Sequence, residues 1–181
     1  MPSAEPGDDD FSFVMPRRNP GHPGDGKAPG FPVVKAVLQR VSRASVDLEG
    51  QTIAAIGSGL VVLVCAEKSD AEAEADFFAR KIAHMRLFAD AEGKTNLSLL
   101  DIKGEALVIS QFTLAADWRK GNRPSFSAAA DPATAERLYE YFCGKLAAEG
   151  VPVKKGRFRS HMRVNLVNDG PVTIWMDGAD R

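Results

Sequence analysis

Ser110-Gln111-Phe112-Thr113-Leu114 closes an otherwise apolar run, Ala106-Leu107-Val108-Ile109, and sets two hydroxyls and a carboxamide where a buried strand is expected. Buried polar groups require partners or a task. Strand alternation sends Gln111 and Thr113 to one face and Ser110 and Phe112 to the other. Ser110 and Thr113 can therefore share a pocket only if the strand ends or bends between them. Two roles stay open on these residues alone: hydroxyls that satisfy backbone groups at a strand end, or the wall of a site. A second stretch, Asn168-Asp169-Gly170-Pro171, lies between the strand-like runs Val164 to Val167 and Val172 to Met176. Asp-Gly alone suits a tight hairpin, because glycine reaches positive φ without a Cβ penalty. Pro171 removes a backbone donor, excludes the simplest two-residue register and brings a cis bond within about 0.5–1 kcal/mol.

Other chemistries find little support. His22, His84 and His161 are far apart and form no HxH or HxxxH pair, so no metal site is expected. No G-x-S-x-G elbow is present. Cys65 and Cys143 fall in an apolar run and a helical pattern, and are read as reduced core thiols. Gly57-Ser58-Gly59 is too short for a nucleotide fingerprint and reads as hairpin punctuation. The net charge of −1 does not mark a nucleic-acid binder by bulk electrostatics. Lys154, Lys155, Arg157, Arg159, His161 and Arg163 nevertheless crowd one late segment. That segment could face a phosphate backbone or serve as a solvated strand edge.

The elements that must position these residues follow from periodicity. Residues 1–33 hold seven of the eleven prolines and the acidic run Asp8-Asp9-Asp10, and read as a disordered leader. An alternative is a start of translation near Val33 or Val34; the acidic run argues against a transit peptide. Lys35 to Val41, Ala44 to Leu48, Thr52 to Ile56 and Leu60 to Cys65 predict four strands in a meander. Ser69-Asp70 should cap a helix carrying Ala75, Phe78 and Ile82 on one face. After a short strand at Arg86 to Phe88 and a loop-rich stretch comes a strand at Ala106 to Leu114. Asp131-Pro132 opens a second helix with Leu138, Phe142 and Leu146 inward, ended by Gly150. Strands at Val151 to Lys155, Met162 to Val167 and Val172 to Met176 complete the chain. The expectation is one α/β domain over 34–178, a layered β/β/α sandwich of mixed sheets with two main helices. Two helices cover only one sheet face, so a second sheet or a partner subunit should cover the other. No run is long and apolar enough to cross a bilayer and the N-terminus lacks a secretory pattern, which predicts a cytoplasmic protein.

Taken together, SQFTLAAD (110–117), RPSF (123–126), GRF (156–158) and VNDGPVT (167–173), behind KAVLQRVSRASV (35–46), resemble the D-aminoacyl-tRNA deacylase family. The resemblance spans about Val34 to Met176. It implies a homodimer, without metal or cofactor, that hydrolyses the ester between a D-amino acid and the 3′ end of tRNA, and also mischarged glycyl-tRNA. It implies no membrane or DNA partner. Gly170 and Pro171 would form a cis pair inserted into the other subunit's active site, where parallel carbonyls bind the α-amino group and exclude an L side chain. Ser110 and the N–H groups of Phe112 and Thr113 would stand near the ester carbonyl, with Gln111 positioning the adenosine. Phe158 and Met162 would line the adenosine pocket, Arg40 would brace the Gly-Pro loop, and Asn168 would support it. The SQFTL form implies the strictly D-selective branch. Attack would rely on the 2′-hydroxyl of the terminal adenosine rather than on Thr113 as a nucleophile. Arg159-Ser160-His161 departs from the pattern, which has small residues and then an acidic one. Two rival readings remain: a catalytically silent dimeric tRNA-end binding protein, and a small-ester hydrolase using Thr113 or Ser110 as nucleophile.

Overall fold

The computed structural model describes residues 34–180; the leader at 1–33 lies outside the described residues. In chain order the elements are β1 (Lys35–Leu48), β2 (Gln51–Ile56), β3 (Gly59–Cys65), α1 (Glu72–His84), β4 (Phe88–Ala89), β5 (Thr95–Leu97), β6 (Glu105–Ser110), α2 (Pro132–Ala148), β7 (Val153–Lys155) and β8 (Arg163–Asp177), with a 3-10 turn at Phe112–Ala115 after β6. Six strands form a mixed sheet in the order β2-β1-β3-β6-β7, with β8 on the other edge of β1, and β4 and β5 form a separate ribbon.

The apolar runs of β3 and β6 pair in parallel and are buried on both faces, as such runs require. Each parallel step, β3 to β6 and β6 to β7, is bridged by a helix. Both helices pack on one face: Phe78 and Ile82 of α1 and Phe142 and Leu146 of α2 join Leu60, Val62, Ala106 and Val108 in the larger core. The opposite face is covered by the sheet itself. Val61, Leu107 and Ile109 pack there against Ala44 and Val46 of β1 and Ile56 of β2. This follows because β1 is one long strand, not two: Lys35–Val41 pairs with β3 and Ala44–Leu48 with β2 along the same edge.

Several boundaries differ from those read in the sequence. The first strands do not form a meander, since β2 and β3 pair with β1 and not with each other. Gly57-Ser58-Gly59 is accordingly a crossing point rather than a hairpin turn, and a Cβ on Gly59 would lie 1.9 Å from the Glu105 carbonyl. The residue at the start of α1 is Ala71, not Ser69 or Asp70. The Ala71 N–H donates to the Glu74 carboxylate (3.0 Å), while Asp70 accepts from the Glu67 N–H one turn earlier. α2 begins as its sequence predicts, with Asp131 accepting from the Ala133 and Thr134 N–H groups at 3.1 Å each.

Candidate active site

The alternation problem posed by Ser110 and Thr113 is resolved by a strand end. The Gln111 N–H still donates to the Val64 carbonyl (2.8 Å), as the last rung of the ladder with β3. The backbone then coils into the 3-10 turn, closed by Leu114 N–H to Gln111 O (3.2 Å) and Ala116 N–H to Thr113 O (3.1 Å). Such a turn offers no internal acceptor to its first donors, the N–H groups of Phe112 and Thr113. The strand expected to reach Leu114 therefore stops at Ser110.

Beyond the turn, the polar loop folds back on itself. Asp117 and Ser125 exchange backbone hydrogen bonds of 2.7 and 2.8 Å, which returns Phe126 edge-on to Phe112 with ring centroids 5.2 Å apart. The opposing wall is the connection from β7 to β8. The Gly156 N–H donates to the Val108 carbonyl (3.0 Å), and the buried Tyr139 hydroxyl donates to the same carbonyl (2.9 Å). Tyr139 also lies 6.1 Å from the Phe158 ring. Burial raises the Tyr139 hydroxyl's pKa well above the usual phenol range, so it stays a donor. Gly156 leaves space for Met162, whose sulfur would sit 3.1 Å from an added Cβ and accepts from the Arg157 N–H (3.2 Å).

Between these walls is an open cleft of about 690 Å³, within the range of small-ligand sites. Ser110, Gln111 and Phe112 line one side and Phe158, Arg159, Ser160, His161 and Met162 the other, so eight of the residues singled out in the sequence converge there. Thr113 does not line it; its hydroxyl oxygen accepts from the Gln111 carboxamide at 2.6 Å. Phe126 and the start of α2, Pro132 and Ala135, complete the cleft. Sequence reasoning did not place these three in a site. An aromatic residue inside a polar loop was the available signal for Phe126.

The second group is assembled elsewhere. The two halves of β8 run in one direction along β1, with Gln39 opposite Thr173 and Val41 opposite Asn168. Asn168-Asp169-Gly170-Pro171 is thus no turn between two strands: residues 169–172 form a wide bulge opposite Arg40 alone. Asn168 staples its base, accepting from the Val172 N–H (3.0 Å) and donating to the Thr173 hydroxyl (2.9 Å). Arg40 grips its crown. Its Nε donates to the Asp169 carbonyl (3.1 Å) and lies 3.4 Å from the Asp169 carboxylate, while its Nη1 donates to the Leu87 carbonyl (2.6 Å). The Gly170-Pro171 bond is cis, Gly170 has φ +127°, and both residues are exposed. None of Arg40, Asn168, Gly170 and Pro171 lines the cleft of the same chain.

The cysteines are buried and free of disulfides, as read from the sequence. Desolvation pushes both thiols up to about 12, which leaves them poor nucleophiles. Among the described residues no group of three His, Cys, Asp or Glu is disposed to hold a metal ion, and no helix is long and apolar enough to cross a membrane.

Comparison with known proteins agrees with this architecture. The family model described as D-Tyr-tRNA(Tyr) deacylase matches residues 37–177. A D-aminoacyl-tRNA deacylase of Ruegeria pomeroyi is 61% identical over 144 residues, covering 80% of this chain and 99% of that protein. One of Dinoroseobacter shibae is 57% identical over 145 residues, covering 80% of this chain and all of its own. Among solved structures, the c-Myc DNA Unwinding Element Binding Protein superposes with a TM-score of 0.74 at 41% identity, covering 78% of this chain and 97% of that one. A probable eukaryotic D-amino acid tRNA deacylase, at 15% identity and a TM-score of 0.71, shares the fold, covering 80% of this chain and 99% of its own. With the family model spanning β1 to β8 and full-length relatives above half identity, this chain belongs to the D-Tyr-tRNA(Tyr) deacylase family.

Proposed function

We propose that this chain hydrolyses the ester between a D-amino acid and the 3′ end of tRNA, accepts mischarged glycyl-tRNA, and acts as a homodimer. The observation that carries this reading is the separation of two built halves. One chain has a cleft walled by Ser110, Gln111 and Phe112, and displays Gly170-Pro171 on a braced, exposed bulge outside that cleft. Crossing over in a dimer would unite them. The terminal adenosine would lie between Phe158 and Met162, with Gln111 orienting it. The ester carbonyl would face the N–H groups of Phe112 and Thr113 at the start of the 3-10 turn, each such donor being worth roughly 3 kcal/mol to a developing oxyanion. The carbonyls of the partner's copy of the bulge would hold the α-amino group and leave no room for an L side chain, while D side chains point outward.

Water attack would be assisted by the substrate's own 2′-hydroxyl. Thr113 as nucleophile is disfavoured, because the hydrogen bond made by its hydroxyl among the described residues is to a carboxamide, not to a base. The test is release of amino acid from matched D-tyrosyl-tRNA and L-tyrosyl-tRNA in the presence of chelator. Loss of the D ester alone is expected. Hydrolysis of neither by a folded protein that still binds tRNA would favour a silent tRNA-end binder, and a trapped acyl-enzyme would favour a side-chain nucleophile.

A further inference from the structure

The cleft carries a charge pattern that the chemistry at the ester does not use. Its lining contains two ionisable side chains, Arg159 and His161, and no carboxylate. Both residues are exposed. Neither forms an ion pair or a side-chain hydrogen bond among the described residues; Arg43, Lys68 and Lys154 also lack an ion pair, but they do not line this cleft. An unpaired guanidinium at the rim of a carboxylate-free, partly apolar cleft favours an anionic ligand. The backbone fixes where the cation stands. Arg159 sits at φ +56°, in the left-handed region that disfavours a long L side chain. The tight turn that holds it there is closed by Ser160 N–H to Arg157 O (3.4 Å), and its flanks are Phe158 and Met162, both on the same cleft wall. Glu49 and Lys103 take nearly the same φ in ordinary exposed turns, so what marks Arg159 is that its turn lies in the lining of the cleft.

We infer that Arg159 and His161 form a phosphate subsite at the cleft rim, binding the 5′-phosphodiester of the nucleotide whose base lies between Phe158 and Met162. This rests on the reading that the cleft takes an RNA 3′ end, and it assigns these residues a part in holding the RNA rather than in chemistry. The fork of Arg159 supplies two parallel donors to the phosphate oxygens, and a ring N–H of His161 a third.

The test compares ligands that differ only by the phosphate. By calorimetry the wild type should bind adenosine 5′-monophosphate more tightly than adenosine, by about tenfold for a charge-assisted contact. Arg159→Gln combined with His161→Gln should bind the two alike. Equal affinities in the wild type, or a preference that survives the double substitution, would overturn the subsite. Kinetics give the second arm. The double variant should lose about tenfold in kcat/KM on D-tyrosyl-tRNA but stay within about twofold on 3′-O-(D-tyrosyl)adenosine, which carries no phosphate. Its kcat/KM should also depend less on salt, by roughly 0.7 in log–log slope per phosphate contact removed. An equal loss on both esters would make the pair part of the nucleoside pocket and sink the proposal. Inactivity of the wild type on both esters would count against the deacylase reading, while the monophosphate comparison would still decide the subsite.

Discussion

At the scale of single residues, the two motifs differ in what they tolerate. Gly170 is constrained twice: its φ of +127° disfavours any side chain, and an added Cβ would meet Val172 Cγ2 at 2.8 Å and Arg40 Nη2 at 2.9 Å. Since Arg40 holds the crown of the bulge, Gly170→Ala should shift the carbonyls proposed to hold the α-amino group. We expect at least a tenfold fall in D-tyrosyl-tRNA hydrolysis, or a gain of L-tyrosyl-tRNA hydrolysis as the proposed fence opens, with a melting temperature lowered by ~2–4 °C because alanine is strained at that φ. Thr113 should behave differently. It lies outside the cleft lining and accepts from the Gln111 carboxamide. Thr113→Ala should therefore keep substantial single-turnover activity, because a backbone N–H survives the substitution. Complete inactivity of a folded Thr113→Ala protein would contradict substrate-assisted attack.

At the scale of elements, the cleft depends on how β6 and α2 hold the connection from β7 to β8. Tyr139 on α2 joins the Val108 carbonyl of β6 to the segment that begins at Gly156. Tyr139→Phe should cost about 0.5–1.5 kcal/mol in urea unfolding, the net value of one buried hydrogen bond. It should also raise KM on D-tyrosyl-tRNA more than it lowers kcat, because the ring still backs Phe158 but the hydroxyl no longer ties the Gly156 segment to β6. The start of α2 adds a pH term. Hydrogen bonds from Thr134 and then from the Ala133 N–H hold the Asp131 carboxyl below the usual aspartate range. A carboxyl with a depressed folded-state pKa contributes its full stability above the unfolded value near 3.9, and loses it as pH falls through the folded value. Asp131→Ala should thus lower the melting temperature by ~2–4 °C at pH 7, and the gap should close as the pH drops below about 4. A gap that is constant with pH would assign the effect to helix propensity instead.

At the scale of the whole molecule, a single chain leaves its two motif groups apart and exposes Val164, Val167 and Trp175 along β8, the last 50% accessible. A dimer that uses the bulge in trans makes a specific prediction for mixed subunits. Phe112→Ala removes a wall of the cleft, and Gly170→Ala disturbs the bulge. Denaturing and refolding the two impaired variants together should raise D-tyrosyl-tRNA hydrolysis above that of either alone, to roughly a quarter of wild type, since half of the dimers are mixed and each has one intact site. If both motifs served the same chain's cleft, mixing would restore nothing. Sedimentation of each variant alone should show the same assembly state as the wild type.

What the sequence determined by itself was local. The helix at Asp131-Pro132, the buried runs of β3 and β6, the core thiols and the content of both motifs are set by side-chain type and short-range spacing, which the chain carries without folding. The family resemblance drew on the same local signals. Tertiary structure decided the rest, because it depends on which strand a segment pairs with. Asn168-Asp169-Gly170-Pro171 carries the residues of a turn, yet both flanking segments find β1 as their partner, and the extra residues are forced out as a bulge. Lys35 to Val41 and Ala44 to Leu48 look like separate strands, but long-range pairing with β8 makes them one. The gap between Ser110 and Thr113 followed the same rule: alternation demanded an end or a bend, and only the ladder with β3 fixed that end at Ser110.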